Sequence, residues 1–116
     1  MHELSLAGAV LETVEKHAAG RPVTVVALRV GALRQVVPAS LAFMFELVAR
    51  DTVCEGARLD QELIAARLRC TPCEREWEID MPDFVCSRCG EANVEVIAGN
   101  EFEVEWIDVE EAACIA

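Results

Sequence analysis

Two short cysteine motifs, Cys70-Thr71-Pro72-Cys73 and Cys86-Ser87-Arg88-Cys89-Gly90, decide how the sequence is interpreted. Two residues between the cysteines of a pair let a tight turn present both sulfurs on one side of the backbone. Twelve residues separate the pairs, and two such turns facing each other place four thiolates around one ion. The spacing therefore predicts one tetrathiolate metal site, formed by Cys70, Cys73, Cys86 and Cys89.

Zinc is the ion that we expect at this site, because Zn²⁺ prefers four-coordinate sulfur cages. The alternatives are a redox-active dithiol, a pair of disulfides, or iron. Pro72 stiffens the first turn and Gly90 suits the positive φ that closes the second, which favours a metal-binding knuckle. Four thiolates leave no position open for water, so the predicted zinc is structural and not catalytic.

The segment around the cysteines is too poor in apolar side chains to fold without the metal. Between Arg69 and Asn93 the apolar residues are few, namely Trp77, Ile79, Met81, Phe84 and Val85. Structural zinc supplies about 10–16 kcal/mol of apparent binding free energy to segments of this kind. We expect residues 70–93 to form a zinc-ribbon lobe, inserted into a second lobe built from residues 1–69 and 94–116.

The chain is acidic, with 21 Asp and Glu against 10 Lys and Arg, and its formal net charge is −11 over 116 residues. Nucleic-acid-binding modules neutralise phosphates with clustered basic residues, whereas here they are scattered and Lys16 is the single lysine. We therefore expect no nucleic-acid partner.

The start of the chain lacks a positively charged leader and the apolar runs are too short to span a membrane, so we expect a cytoplasmic protein.

Hydrophobic periodicity predicts an α+β fold with two helices packed on one face of a small mixed sheet. The first helix is expected over Leu4–Ala19, and the second from Pro38 to about Asp51. Strands are expected at Val23–Val30, at Leu59–Leu68 leading directly into Cys70, at 94–96 and at Glu101–Trp106. In the last strand acidic and apolar side chains alternate, which is typical of one solvated face, and the strand is expected to continue through 107–109 with a change of phase.

The amino terminus, Met1-His2-Glu3-Leu4-Ser5-Leu6, carries a second kind of metal chemistry. The terminal amine, the deprotonated amide nitrogen of His2 and its imidazole can bind one ion in fused rings. Planar nitrogen donors of this kind suit Ni²⁺ or Cu²⁺. Taken alone, a histidine at position 2 is usually an ordinary residue of a poorly ordered terminus.

In combination, these features resemble those of the HypA/HybF family. The resemblance rests on five features: the Met-His-Glu-Leu-Ser start, a β-branched strand ending near Gly31, a Pro-led helix carrying 43–46, the two cysteine motifs, and Gly-Asn-Glu-Phe at 99–102. It implies a nickel metallochaperone of [NiFe]-hydrogenase maturation that is not an enzyme. Ni(II) would be the transported cargo, bound at His2 with Glu3 close to the site, and Zn(II) would be structural at Cys70, Cys73, Cys86 and Cys89.

The resemblance also implies partners, namely a HypB-type GTPase, the hydrogenase large subunit and, in some relatives, urease. The competing interpretation is a zinc-ribbon module that binds protein or nucleic acid and has no nickel function. A zinc hydrolase is disfavoured because no His-rich ligand set accompanies an open position. Of the remaining candidate ligands, we expect His17 on the helix surface, Cys54 as a small buried residue and Cys114 as a free thiol.

Overall fold

The computed structural model describes residues 2–80, 83–90 and 94–110. The elements in chain order are α1 (His2–Ala18), β1 (Val23–Gly31), a short 3-10 helix (Ala32–Arg34), α2 (Pro38–Val48), β2 (Arg58–Ile64), β3 (Ala66–Cys70), β4 (Arg75–Ile79), β5 (Glu95–Ala98) and β6 (Phe102–Val109). The predicted α+β class, with two helices, small sheets and a four-cysteine segment, is confirmed.

The described residues form two compact units. Unit 1 takes residues 2–29, 36–62 and 103–110, and unit 2 takes Val30–Gln35 together with the described part of Leu63–Phe102. Unit 2 thus extends beyond the predicted 70–93 lobe on both sides, because β3, which precedes Thr71, pairs with β4 and with β5, which follows residue 93. The assignment of 70–93 as a zinc-binding lobe and of the rest as a nickel-binding lobe stays a prediction. None of the described helices is long and apolar enough to cross a membrane.

Unit 1 has its core among the two helices, β1 and the turn before β2. The helix α1 packs on α2. The helix α2 begins with Pro38, at a position where the backbone N–H has no partner within the helix, so its absence in proline costs no hydrogen bond. In α1 the buried residues lie on one face of the helix and include Val10, whereas Leu4 is 47% exposed. The buried side chains of the unit belong to Ala7, Val10, Val14, Ala18, Val23, Val26, Ala27, Leu28, Leu41, Phe45, Ala49 and Cys54.

The first sheet has the strand order β2-β1-β6, so the most apolar strand lies in the centre. On β6 the side chains of Glu103 and Glu105 are exposed, which confirms the predicted solvated acidic face, and the strand continues to Val109. Across the sheet, the guanidinium of Arg29 lies 2.8 Å from a Glu103 carboxylate oxygen and 3.7 Å from one of Glu62. Such exposed pairs contribute little to stability.

The second sheet is antiparallel, with the order β4-β3-β5; it corrects one prediction and adds a strand that was not predicted. The expected single strand Leu59–Leu68 is wrong, because the chain leaves strand geometry at Ala65 and its halves join different sheets. The burial of the two halves differs accordingly, since no residue of β2 is fully buried whereas β3 buries Ala66, Leu68 and Cys70. Sequence reasoning also missed β4, which lies between the cysteine pairs, although acidic and apolar residues alternate in Glu76-Trp77-Glu78-Ile79 as they do in β6.

Three backbone segments of unit 2 meet at Gly31, Gly99 and Ala66. The Gly31 N–H donates to the Glu101 carbonyl at 2.7 Å, and the Leu33 N–H donates to the Gly99 carbonyl at 2.8 Å. A Cβ at Gly31 would collide with the Gly99 carbonyl group, and a Cβ at Gly99, whose φ is +106°, would lie 2.5 Å from the Ala66 Cα. Both positions therefore need glycine.

Candidate metal centre

The four cysteines of the two motifs converge within unit 2. All four Sγ atoms lie within 4.8 Å of one another, and those of Cys70 and Cys89 are 3.6 Å apart. Four sulfurs bonded to one tetrahedral ion at about 2.3 Å lie about 3.8 Å from each other. A disulfide would need sulfurs about 2 Å apart, and the described cysteines are free thiols. The donor set therefore fits a single four-coordinate ion.

Each cysteine pair lies in a turn that is closed by the residue after its second cysteine. The N–H of Glu74 donates to the Thr71 carbonyl at 3.3 Å, and the N–H of Gly90 donates to the Cys86 carbonyl at 2.8 Å. Both closing residues have positive φ, +51° for Glu74 and +74° for Gly90. The prediction for Gly90 is confirmed. Glu74 occupies the same left-handed region with a side chain, at a cost of about 1–2 kcal/mol.

The electrostatics of the four sulfurs favour a bound cation. Backbone N–H groups of Cys89 and Arg88 lower the pKa of Cys86 to about 6. The neighbouring Cys89 sulfur and burial raise the pKa of Cys73 to about 12. Four sulfurs at this spacing cannot all ionise, because each thiolate repels the next. A bound divalent ion removes that restriction and lets all four act as thiolate ligands.

Sequence reasoning missed one residue of this site, Arg75. Its guanidinium lies 3.7 Å from the Cys86 sulfur and 3.3 Å from the Ser87 hydroxyl oxygen, and it stacks on the ring of Trp77. The two-residue spacing of Arg75 and Trp77 places both side chains on one face of a strand. The spacing is visible in the sequence, but it places the two side chains on one face only if the segment is known to be a strand.

The second predicted site lies at the start of α1, in unit 1. His2 is the first residue of the helix and its side chain is exposed. Because the first four N–H groups of a helix have no partner within it, the His2 amide is not engaged in the helical hydrogen-bond pattern. Met1, which carries the terminal amine, lies outside the described residues.

Glu3 is held by a contact to the other helix. Its Oε2 accepts a hydrogen bond, 3.4 Å long, from the backbone N–H of Val37, the residue that precedes α2. This bond is the main reason that the pKa of Glu3 is lowered, so the carboxylate form is favoured. A negative charge at this point also suits the positive end of the α2 dipole.

Two of the three remaining candidate ligands agree with expectation, and the third is not described. His17 is exposed on α1, and Cys54 is fully buried in unit 1. Burial, with a smaller effect of the Glu15 carboxylate, raises the pKa of Cys54 from 9.0 to about 11. Cys54 is therefore a neutral thiol at physiological pH. Cys114 lies outside the described residues.

Cys54 should resist alkylation in the native protein. At pH 8, the higher pKa reduces the thiolate fraction about 100-fold, and burial excludes the reagent in addition. Iodoacetamide followed by peptide mass spectrometry should leave Cys54 unmodified in folded, metal-loaded protein and modify it readily in urea. Rapid modification of Cys54 without unfolding would contradict this assignment.

Comparisons with known proteins agree on one relationship. The family model described as hydrogenase/urease nickel incorporation, metallochaperone, hypA matches residues 1–109. The chain is 47% identical over 116 residues to the hydrogenase maturation factor HypA of Streptomyces avermitilis, covering 93% of this chain and 88% of the relative. It is 42% identical over 110 residues to the hydrogenase maturation factor HypA of Geobacter sp. strain M21, covering 95% of this chain and all of the relative.

A solved structure shows the same fold. The solution structure of the Ni metallochaperone HypA from Helicobacter pylori aligns with a TM-score of 0.68 and 24% identity, covering 94% of this chain and 97% of that chain. At this level of identity the match speaks for the architecture alone, which includes two helices and small sheets.

Proposed function

Because the chain belongs to the HypA family of metallochaperones, we propose that it carries nickel, binding one Ni(II) at its amino terminus and delivering it to the large subunit of a [NiFe]-hydrogenase during maturation. One observation carries this proposal: the chain has two potential metal positions of opposite character. The four cysteines form a closed cage, whereas His2 is exposed at the first residue of α1. A closed cage retains its ion, and an exposed site with few ligands can release one.

At the amino terminus, the proposed nickel ligands are the terminal amine, the His2 amide nitrogen and the His2 imidazole. The position of His2 at the helix start supports this ligand set, because its amide makes no helical hydrogen bond that ionisation would break. Glu3 follows directly, and its carboxylate offsets the charge of the ion from close by. Nickel is cargo in this scheme, and no bond of a substrate is made or broken, so we propose that the protein is not an enzyme.

At the four-cysteine centre, the proposed resident ion is Zn(II), held by Cys70, Cys73, Cys86 and Cys89. Zinc supplies no chemistry here beyond cross-linking the two turns, since four sulfurs complete its coordination. Iron is the alternative that sulfur ligands allow.

The proposed partners are a HypB-type GTPase and the hydrogenase large subunit, with urease maturation as a further destination, and the proposed location is the cytoplasm. The formal net charge of −11 supports association with basic protein surfaces. A nucleic-acid-binding zinc ribbon is the alternative function. Two arginines of unit 2 argue against it, because Arg67 lies 3.7 and 3.5 Å from the carboxylates of Glu76 and Glu78, and Arg75 is directed at the cysteines.

Changing the amino terminus should abolish nickel binding and leave zinc in place. The substitution His2→Ala removes the imidazole, and a Gly-Ser extension keeps every side chain but moves the terminal amine away from His2. Each change should weaken nickel binding about 100-fold or more. Removing a group that only hydrogen-bonds to a ligand lowers metal affinity by roughly 10–100-fold, and removing the ligand itself should cost more. Calorimetric nickel titration of untagged protein, with zinc content measured in parallel, gives the readout.

Two control variants test the specificity of this effect. His17→Ala removes the other histidine of α1, also exposed, and should leave nickel affinity unchanged. Glu3→Gln can still accept the Val37 hydrogen bond and should weaken nickel binding less than His2→Ala. Hydrogenase activity in complemented cells reports delivery. Normal nickel affinity in the extended protein would exclude the amine as a ligand, and normal binding and delivery by His2→Ala would overturn the proposed function.

A further inference from the structure

We infer that Arg75, held in place by Trp77, is a positioning residue that keeps Cys86 on the metal and slows the loss of the ion from the four-cysteine centre. The inference rests on the proposed resident zinc at that centre. It concerns how firmly the ion is retained, which neither the family relationship nor the four ligands determine.

The position of Arg75 in the sheet directs it to the second cysteine pair. Arg75 is the first residue of β4 and stands opposite Cys70 in the β3–β4 register. Its Nη1 atom lies 3.7 Å from the Cys86 sulfur and 3.3 Å from the Ser87 hydroxyl oxygen. A residue that follows the first turn therefore contacts the second turn, and it contacts a ligand sulfur that is fully buried.

Trp77 fixes the guanidinium in this orientation. The Cζ atom of Arg75 lies 4.6 Å from the centroid of the Trp77 ring, inside the range of a cation–π interaction. Trp77 stands opposite Leu68, which is fully buried, so the ring rests on the core of unit 2. Because the ring holds the guanidinium, little side-chain freedom is lost when Arg75 contacts the sulfur.

The charge of the loaded centre gives this contact its effect. Four thiolates and one divalent ion leave a formal excess of two negative charges, spread over the sulfurs. A guanidinium stays protonated at all relevant pH values and donates a charge-assisted hydrogen bond to a thiolate. Such a bond makes the Cys86 sulfur less nucleophilic, so protons and other electrophiles attack it more slowly, and the guanidinium charge offsets part of the excess negative charge of the centre. Both effects slow the release of the ion.

Arg69, which lies beside the ligand Cys70, has a different surrounding and provides a matched control. Arg69 precedes Cys70 in β3, is exposed, and stands opposite Glu76 and Glu95 on the two neighbouring strands. Its side chain points to the opposite face of the sheet from Cys70. Like Arg75→Met, Arg69→Met removes one positive charge from a residue close in sequence to a ligand cysteine. It removes no hydrogen-bond donor to a sulfur.

The test is the rate at which zinc moves from loaded full-length protein to an excess of a colorimetric chelator. Arg75→Met should increase this rate by about 10-fold or more, since losing a group that holds a metal ligand lowers metal affinity by about 10–100-fold at other sites. Trp77→Leu should increase it by a smaller factor. Arg75→Lys keeps the charge and one donor and should restore part of the retention. Arg69→Met should match the wild type.

A second readout separates positioning from general loss of structure. In loaded protein, iodoacetamide should modify Cys86 faster in Arg75→Met than in the wild type or in Arg69→Met, as followed by peptide mass spectrometry. Equal zinc release from wild type, Arg75→Met and Arg69→Met would overturn the inference. A wild-type protein that binds no zinc would instead overturn the proposed zinc centre on which the inference rests.

Discussion

Replacing Cys73 by alanine is expected to release the metal and to unfold the β4-β3-β5 sheet, while α1 and α2 remain folded. Three sulfurs are left, and the cross-link between the two turns is lost. The apparent binding free energy of structural zinc, about 10–16 kcal/mol, equals or exceeds the total stability of a typical domain. Far-UV circular dichroism should therefore keep its helical component while metal analysis shows no bound zinc.

Tryptophan fluorescence can locate this unfolding. Trp77 lies in unit 2, and Trp106 lies in unit 1, where it is 49% exposed. In a Trp106→Phe background, the emission of Trp77 should shift to longer wavelength when Cys73 is replaced. Cys54→Ala is the control, because Cys54 lies outside the centre and its loss should leave one metal ion bound. One full equivalent of zinc in the Cys73→Ala protein would contradict the four-sulfur assignment.

Replacing Gly31 by alanine is expected to destabilise the metal-loaded protein by about 1–3 kcal/mol or more. The added Cβ would collide with the Gly99 carbonyl group and lie 2.6 Å from the Asn100 nitrogen. Both obstacles are backbone, and the Gly99 oxygen is held by the hydrogen bond from Leu33. The clash therefore cannot be relieved by rotating a side chain. Urea denaturation of the loaded protein gives the measurement.

Gly8 provides the matched control for this substitution. It lies within α1, and a Cβ there would meet nothing within 4 Å. Gly8→Ala should stabilise the helix by about 0.5–1 kcal/mol, because alanine loses less backbone freedom on folding. An unchanged urea midpoint for Gly31→Ala, with the expected increase for Gly8→Ala, would show that the crossing of the three segments is looser than the structure indicates.

The features that sequence analysis predicted well are those with a strict local pattern. The two cysteine motifs specify their own turns, including the positive φ of Gly90, and Pro38 marks the start of α2. The surface position of His17 and the burial of Cys54 also follow from local pattern and residue type.

The features that were not predictable depend on contacts between distant segments. β4 carries a period-two alternation, but only its pairing with β3 brings Arg75 beside the second cysteine pair. The division of 59–68 between two sheets has the same cause, since β2 pairs with β1 whereas β3 pairs with β4 and β5. Period-two alternation shows that a strand exists and does not show which neighbour it joins.

The position of β6 beside β1 has a consequence for how the protein is made. The Thr24 hydroxyl donates to the Asp108 carbonyl, so strands 84 positions apart in the chain must meet. At about 5–20 residues per second, β6 leaves the ribosome roughly 4–17 s after β1 does. During that interval Val-Thr-Val-Val-Ala-Leu-Arg-Val at 23–30 has an open edge, rich in β-branched residues, which is the kind of strand that recruits other chains. A chain shortened before Phe102 would keep this edge permanently and should accumulate as aggregates in cells, whatever its content of metal.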